Sequence, residues 1–495
     1  MREVLLIFRK DLRHLWPRIV PLLVVSVLLG WTECQVLRNP VVGLLRSVWL
    51  LAVAYLAASV IHEEPLPGHQ QYWLTRPYSR RQLLLAKGLF LMLFAGLPEL
   101  AMEAASMSLN GVSPLVHIPL LLSTTLIFAG GASLVAAALA SVTENLVQLL
   151  WGFLPASGLV ILGFVLSANA DSWQNLEWIR TSALGIVLFA AAITVLFLQY
   201  SLRKTALSRC LLGGAILVVA AGPFLGSWHA AWAIASKFSG RPLDPSAVRL
   251  AFDPVARPAL DFSDAFYSPG LGQAGINLPT LVAGMPTGTR IICERIAARI
   301  ETPEGRSWTT TWNPAGGLYS TTPLEDAHLI RGDGPYSQHA TIDEAFYRAV
   351  KDTPVHVHTI VALTLLGERE IAPLNTGGTT GHLPGEGICN AFPGPFGNLM
   401  VFCAWPAPAP ARSYVLARSF KNGQSLASLL SLGSDSRYSM SGSVWDRDAT
   451  LFPPPPAPLE MQLETWKAVA HFERELDIPQ IRLSGYAVRR ITDMP

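Results

Sequence analysis

Residues 210–236 contain no Asp, Glu, Lys or Arg, and a charge-free stretch of that length suits a lipid bilayer better than water. A hydrocarbon core about 30 Å thick is crossed by about 20 apolar helical residues. Six further runs of that size precede this one, so candidate spans lie near 17–36, 41–61, 88–108, 115–140, 146–168, 181–200 and 210–232. The first is the shortest in apolar content, with Glu33 inside it. Its long basic lead-in, with no small-x-small cleavage site after it, points to a retained span rather than a secretory signal. Composition agrees with a membrane class, since 51% of the 495 residues are hydrophobic and only 15% charged. Residues 1–232 carry 15 Lys and Arg with 10 Asp and Glu, whereas 233–495 carry 22 and 25. The expected architecture is therefore a polytopic α-helical membrane domain of about seven spans over 1–232, and a near-neutral domain outside the lipid over 233–495.

Lys and Arg in short loops stay on the cytoplasmic side. With the N-terminus inside, Arg2, Arg9, Lys10, Arg13, Arg18, Arg76, Arg80, Arg81, Lys87, Arg203, Lys204 and Arg209 all fall on the inner side. The outer loops keep Arg38 and Arg180, with Arg46 near the outer end of the second span. Seven crossings then place the C-terminal domain outside the cytoplasm, as expected for a protein of a bacterial inner membrane. Val4, Phe8, Leu12 and Leu15 recur at helical spacing before the first span. That segment reads either as a helix lying in the inner interface or simply as a positive topogenic signal.

Between the second and third spans, Pro65, Pro67 and Gly68 break the helix. Ser79 with Gln82 three residues on has the form of a capping box, which predicts a new helix from about Arg80 into the third span. The sequence Glu63-Glu64, then Gly68, then LTRPYSRRQLLLAKGL with Arg76, Ser79, Arg80 and Arg81 resembles the first cytoplasmic loop of permease subunits of type-two ATP-binding-cassette exporters. In that family a glutamate and a glycine precede a segment like sLPvSRrelllgKll. The resemblance covers about residues 1–210. It implies a membrane subunit coupled through this loop to a separate ATPase subunit that holds the ATP, and a second permease copy. Two features depart from the family: His69 stands where Thr is common, and a seventh span plus some 260 residues follow. No G-x-x-x-x-G-K-[ST] occurs, so any ATP hydrolysis is expected on another chain, with no cofactor on this one. The other reading is a non-transporting anchor for an extracytoplasmic binding or sensory module.

Glu99 and Glu103 share one helix face in the third span, about 18 Å from Lys87 for the nearer one. They read either as a polar lining of a transport pathway or as residues at the outer headgroups. Gly152, Gly158 and Gly163 permit close helix packing, within one subunit or between two.

Beyond 238, β-favourable runs recur between Gly- and Pro-rich turns, among them INLPTLV, TRIICERIAARIE, VHVHTIVALTLLG and ARSYVLA. IDEAFYRAVKD and LEMQLETWKAVAHFERELD read as two helices. The expectation is a sandwich-like α+β domain, as one unit or two subdomains, with the prolines at 406–411 and 453–456 in stiff connections. Cys389 and Cys403, fourteen positions apart, either close a disulfide on an oxidising face or are two unrelated thiols. Cys293 is then left over, buried in its strand. His356 and His358 alternate, and His62 and His69 flank Glu63, yet neither pair has the further ligands a metal needs. There is no nucleophile motif, and no basic-aromatic stripe for nucleic acid.

Overall fold

A computed structural model describes residues 2–33, 40–64, 80–109, 113–166, 177–224, 226–237, 245–255, 272–313, 317–320, 329–330, 334–374, 381–383, 387–393, 399–406, 413–421, 424–426, 444–451 and 460–487. Helix α1 covers Arg2–Glu33 and α2 covers Pro40–His62. The third apolar run is α3 (Arg80–Leu91), a π-helical turn (Met92–Gly96) and α4 (Leu97–Leu109). Pro98 has no N–H and its ring displaces the carbonyl one turn back, a conflict that the wider π turn absorbs. The fourth run is α5 (Ile118–Thr125), another π turn (Leu126–Gly130) and α6 (Gly131–Ser141). The two π turns touch each other. Then come α7 (Leu146–Leu166), α8 (Glu177–Phe197), α9 (Thr205–Ala221) and α10 (Trp228–Lys237).

Six of these helical runs are long and apolar enough to cross a membrane, and α9, at 17 residues, is a shorter apolar helix. It packs along α7 and α8: a Cβ on Gly163 would collide with the Ala220 carbonyl oxygen, and Gly222 abuts Leu184. At its start, Arg209 donates to the Val142 carbonyl at the end of α6.

Two expectations for the helices change. The N-terminal segment is no separate interfacial helix but the first four turns of α1, because Val4, Ile7, Asp11, Leu15, Ile19, Leu22 and Leu29 form one buried stripe that runs past Pro17 and Pro21. The apolar run 210–232 is divided. Its helix ends in a 3-10 turn at Gly222–Phe224, Gly226 takes φ +86°, and α10 begins as a separate helix at Trp228. Trp228 and Trp232 are the reason: stacked 5.1 Å apart, they are buried with Ile179 of α8, Ala362 and Trp312 against the C-terminal domain rather than lipid.

That domain holds, among the described residues, β1 (Arg249–Phe252), β2 (Gln273–Ala283), β3 (Arg290–Glu301), β4 (Ser307–Asn313), β5 (Gly317–Ser320), β6 (Leu329–Ile330), β7 (Gly334–Asp343), α11 (Glu344–Val350) and β8 (Val355–Leu374). There follow β9 (Gly381–Leu383), β10 (Gly387–Pro393), β11 (Leu399–Pro406), β12 (Ser413–Lys421), β13 (Gln424–Leu426), β14 (Val444–Leu451) and β15 (Glu460–Ile481). One sheet runs β1-β2-β7-β5, a second β14-β11-β10-β9, and a third β13-β12-β15-β8-β3-β4 with β6 beside β3. The first packs face to face on the third. Ile276, Leu278, Ala340 and Ile342 meet Ile300, Val357, Leu476 and Ile478, while Val282 and Tyr336 meet Val361, Leu363 and Phe472. The expected sandwich is present, and Cys293 lies buried in β3. The second sheet belongs to the insertion between β8 and β15, two long strands paired from Val355↔Ile481 to Leu374↔Met461.

The predicted helix over 459–477 is instead β15. Its Glu, Leu, Lys and Ala content favours helix, but Trp466, Ala468, Ala470, Phe472, Leu476 and Ile478 are buried at alternate positions, with partly buried Arg474 filling the one gap in the series. Tertiary burial against β8 overrides propensity. The other predicted helix forms as α11, capped by Asp343, whose carboxylate accepts from the Phe346 amide at 2.8 Å.

His339 on β7 is buried beside Asn277, 2.8 Å from its side-chain oxygen. Burial lowers its pKa from the ordinary 6.5 to about 4. The folded ring is neutral while the unfolded one takes a proton near 6.5, so this contribution to stability is whole above that pH and is lost as pH falls toward 4. The loss amounts to about 3 kcal/mol. Hydrogen exchange of β2 and β7 amides, corrected for intrinsic rate, is expected to lose more protection between pH 7 and 4 in the wild type than in His339→Gln. Equal losses contradict the assignment.

Candidate functional site: two buried charge clusters

A charge in a low-dielectric interior is tolerated when it is paired and hydrogen-bonded. Among the described residues, the helical bundle contains two such groups. The first joins the start of α1, the end of α2 and the start of α3. Lys10 Nζ lies 2.9 Å from Glu64 Oε1 and 3.6 Å from Asp11 Oδ1. Lys87 Nζ lies 3.4 Å from Glu64 Oε2 and donates to the Val60 carbonyl. Asp11, Glu64 and Lys87 are buried, and only Lys10 keeps part of its side chain exposed. Close by, His62 Nε2 is 3.1 Å from Thr143 Oγ1, joining the end of α2 to the end of α6. Val4, Ile7, Leu83, Ala86 and Tyr200 close the cluster with apolar packing.

Glu64 therefore bridges two cations from different helices. Its residue and Lys87 flank the segment 65–86, so the ion pair closes the base of that loop. Glu63 is partly exposed at the end of α2. Gly68, Arg76 and Ser79 lie outside the described residues, and of Arg80 and Arg81 only the backbone is described, as the first turn of α3. The capping-box expectation rests on Ser79 and so lies outside the described residues, which take up α3 at Arg80.

The second cluster lies about 18 Å further along the third run. Arg46 of α2 places Nη1 2.6 Å from Glu99 Oε1 and Nη2 2.8 Å from Glu103 Oε1. All three side chains are buried. The four-residue spacing sets the carboxylates one above the other on α4, where the planar guanidinium fork reaches both. Its flat face is covered as well: the Phe128 and Trp49 rings lie 5.2 and 5.6 Å from Arg46 Cζ. Trp49 Nε1 donates to Ser26 Oγ at 2.9 Å, which carries the contact on to α1. Glu99 and Glu103 thus sit inside a buried clamp joining α2, α4 and the π turn of the fourth run.

Sequence reading found both carboxylates and missed their partner, because Arg46 is 53 positions from Glu99 and looks like an ordinary span-end cation. An intramembrane Arg at the same depth as two carboxylates was the available signal. Lys87, expected among the loop cations, is interior. Asp11 was not singled out. His356 and His358 are partly buried side by side, with His356 Nε2 2.6 Å and His358 Nδ1 3.5 Å from Asp477 Oδ1. Cys389 and Cys403 are register partners on β10 and β11. A scan against protein-family models matched none, and a search of curated proteins gave no match.

Removing one partner of a buried cluster leaves uncompensated charge. Arg46→Leu is expected to destabilise the bundle by about 3–5 kcal/mol, and Arg46→Leu/Glu99→Leu/Glu103→Leu by clearly less. Thermal unfolding in detergent compares them; a triple variant no more stable than the single one contradicts the clamp.

Proposed function

We propose that this chain is the membrane-spanning permease subunit of an ATP-driven exporter of the type-two ABC class, coupled through residues 62–87 to a separate ATPase subunit that binds the ATP. The observation that carries this reading is the Glu64 bridge. A loop tied at its base by Glu64 and Lys87, and held to α1 by Lys10, moves as one body with three helices. Force delivered to such a loop is passed on rather than dissipated in slack chain. The Arg80–Arg81 pair at the start of α3 supplies the cationic face for the partner, as the resemblance to exporter loops implies.

The placement is the bacterial inner membrane, with the loop and the N-terminus cytoplasmic. Helix α9 supports a further crossing, since it starts beside the end of α6 and finishes beside the start of α8. The sandwich then lies outside the cytoplasm. The resemblance adds a second permease copy, and the outer domain receives cargo or contacts an envelope partner.

A rival reading is a non-transporting anchor for an extracytoplasmic binding or sensory domain. One observation favours it: the sandwich is fastened to the bundle by α10 through Trp228, Trp232 and the His229–Glu473 pair at 2.9 Å, as a fixed display would be. Copurification separates the two. The wild-type chain is expected to bring down an ATPase subunit that Arg80→Glu/Arg81→Glu loses while the variant still inserts. No ATPase with either protein overturns the transporter reading.

A further inference from the structure

The inserted sheet holds a chemistry that neither the bundle nor the sandwich uses. Strands β10 and β11 are antiparallel neighbours, and their register sets Cys389 directly opposite Cys403. Opposed residues of an antiparallel pair share one sheet face with Cα atoms about 4.5 or 5.5 Å apart. Both separations fall within the roughly 4.4–6.8 Å that a disulfide spans. The same row continues to Gly381 of β9 beyond Cys389 and to Arg447 of β14 beyond Cys403. At the β9 position of that row glycine adds no side chain. Arginine is a residue type that favours the thiolate of a neighbouring cysteine, the nucleophile of disulfide exchange. Elsewhere among the described residues, Cys210 and Cys293 are free.

We propose that Cys389 and Cys403 are joined in the cell as a disulfide that staples β10 to β11, formed by exchange with an oxidised thiol–disulfide donor protein. The Cys403 thiolate attacks one sulfur of the donor disulfide, and the donor's other sulfur leaves as a thiolate. The Cys389 thiolate then attacks the Cys403 sulfur of the mixed disulfide and releases the donor. The two cysteines give up two protons and two electrons, and the donor ends as a dithiol. This inference rests on the extracytoplasmic placement of the domain, because cytosolic thiols are kept reduced.

The test is made on the full chain in cells quenched with acid and alkylated under denaturing, non-reducing conditions. Both cysteines lie in the tryptic peptide 370–412, which has no internal Lys or Arg. The expected peptide carries no alkyl group and is two hydrogens lighter than its reduced form, while Cys293 in the same sample is alkylated. Cys389→Ser is expected to leave Cys403 open to alkylation, which identifies the partner. Alkylation of both cysteines in the wild type overturns the proposal. Oxidised glutathione added to the purified protein then tells which premise failed. A linked 370–412 peptide keeps the register and rejects the oxidising compartment, and its absence rejects the pairing itself.

Discussion

A charge surrounded by helices and hydrocarbon has to bring its counter-charge with it, and that requirement organises this bundle. Lys10, Glu64 and Lys87 fix α1, α2 and α3 to one another near one end. Arg46, Glu99 and Glu103 fix α2 to α4 nearer the other. Apolar packing between helices is weakly directional in lipid, where the surrounding tails are as apolar as leucine. Paired charges add what it lacks, a defined depth and rotation for each helix. The interior between the clusters is filled by Leu15, Ile19, Leu22, Trp49, Val53, Leu56 and Phe90, whose positions follow once the charged ends are set.

The second organising contact is the strut from bundle to sandwich. Helix α10 comes next in the chain after α9, and its tryptophans are buried with Ile179 of α8 and Ala362 of β8. Arg295 of β3 extends over the Trp228 ring at 4.9 Å and donates to the Trp312 carbonyl at 2.9 Å. The two long strands β8 and β15 then carry this contact through the sandwich to the inserted sheet. A displacement of α8 or α9 has a continuous packed route into the β domain. Under the transporter reading, the loop base and the sandwich are two ends of one mechanical element.

Much of this was legible in the sequence. Apolar runs marked the six helical runs that are long and apolar enough to cross a membrane. Alternation in INLPTLV and VHVHTIVALTLLG marked strands that became β2 and β8. The division at Gly222 and Gly226 was hidden because tryptophan and alanine suit lipid and a sheet face equally. Strand β15 was hidden by helix-forming residues whose burial at every second position is decided by its neighbour. At the candidate site the residue types were visible but the pairings were not, since Lys10–Glu64 and Arg46–Glu99 each join helices more than fifty positions apart in the chain. A stripe that includes Asp11 reads as polar in sequence and as core only once Lys10 and Glu64 stand beside it.

Under the transporter reading, the Glu64 loop base faces the cytoplasm and the sandwich lies across the membrane from it. Protease added to intact spheroplasts tests this most directly. Digestion of the region after about residue 237, with the N-terminal helices retained, is the predicted result. A C-terminal domain protected until the cells are lysed contradicts it.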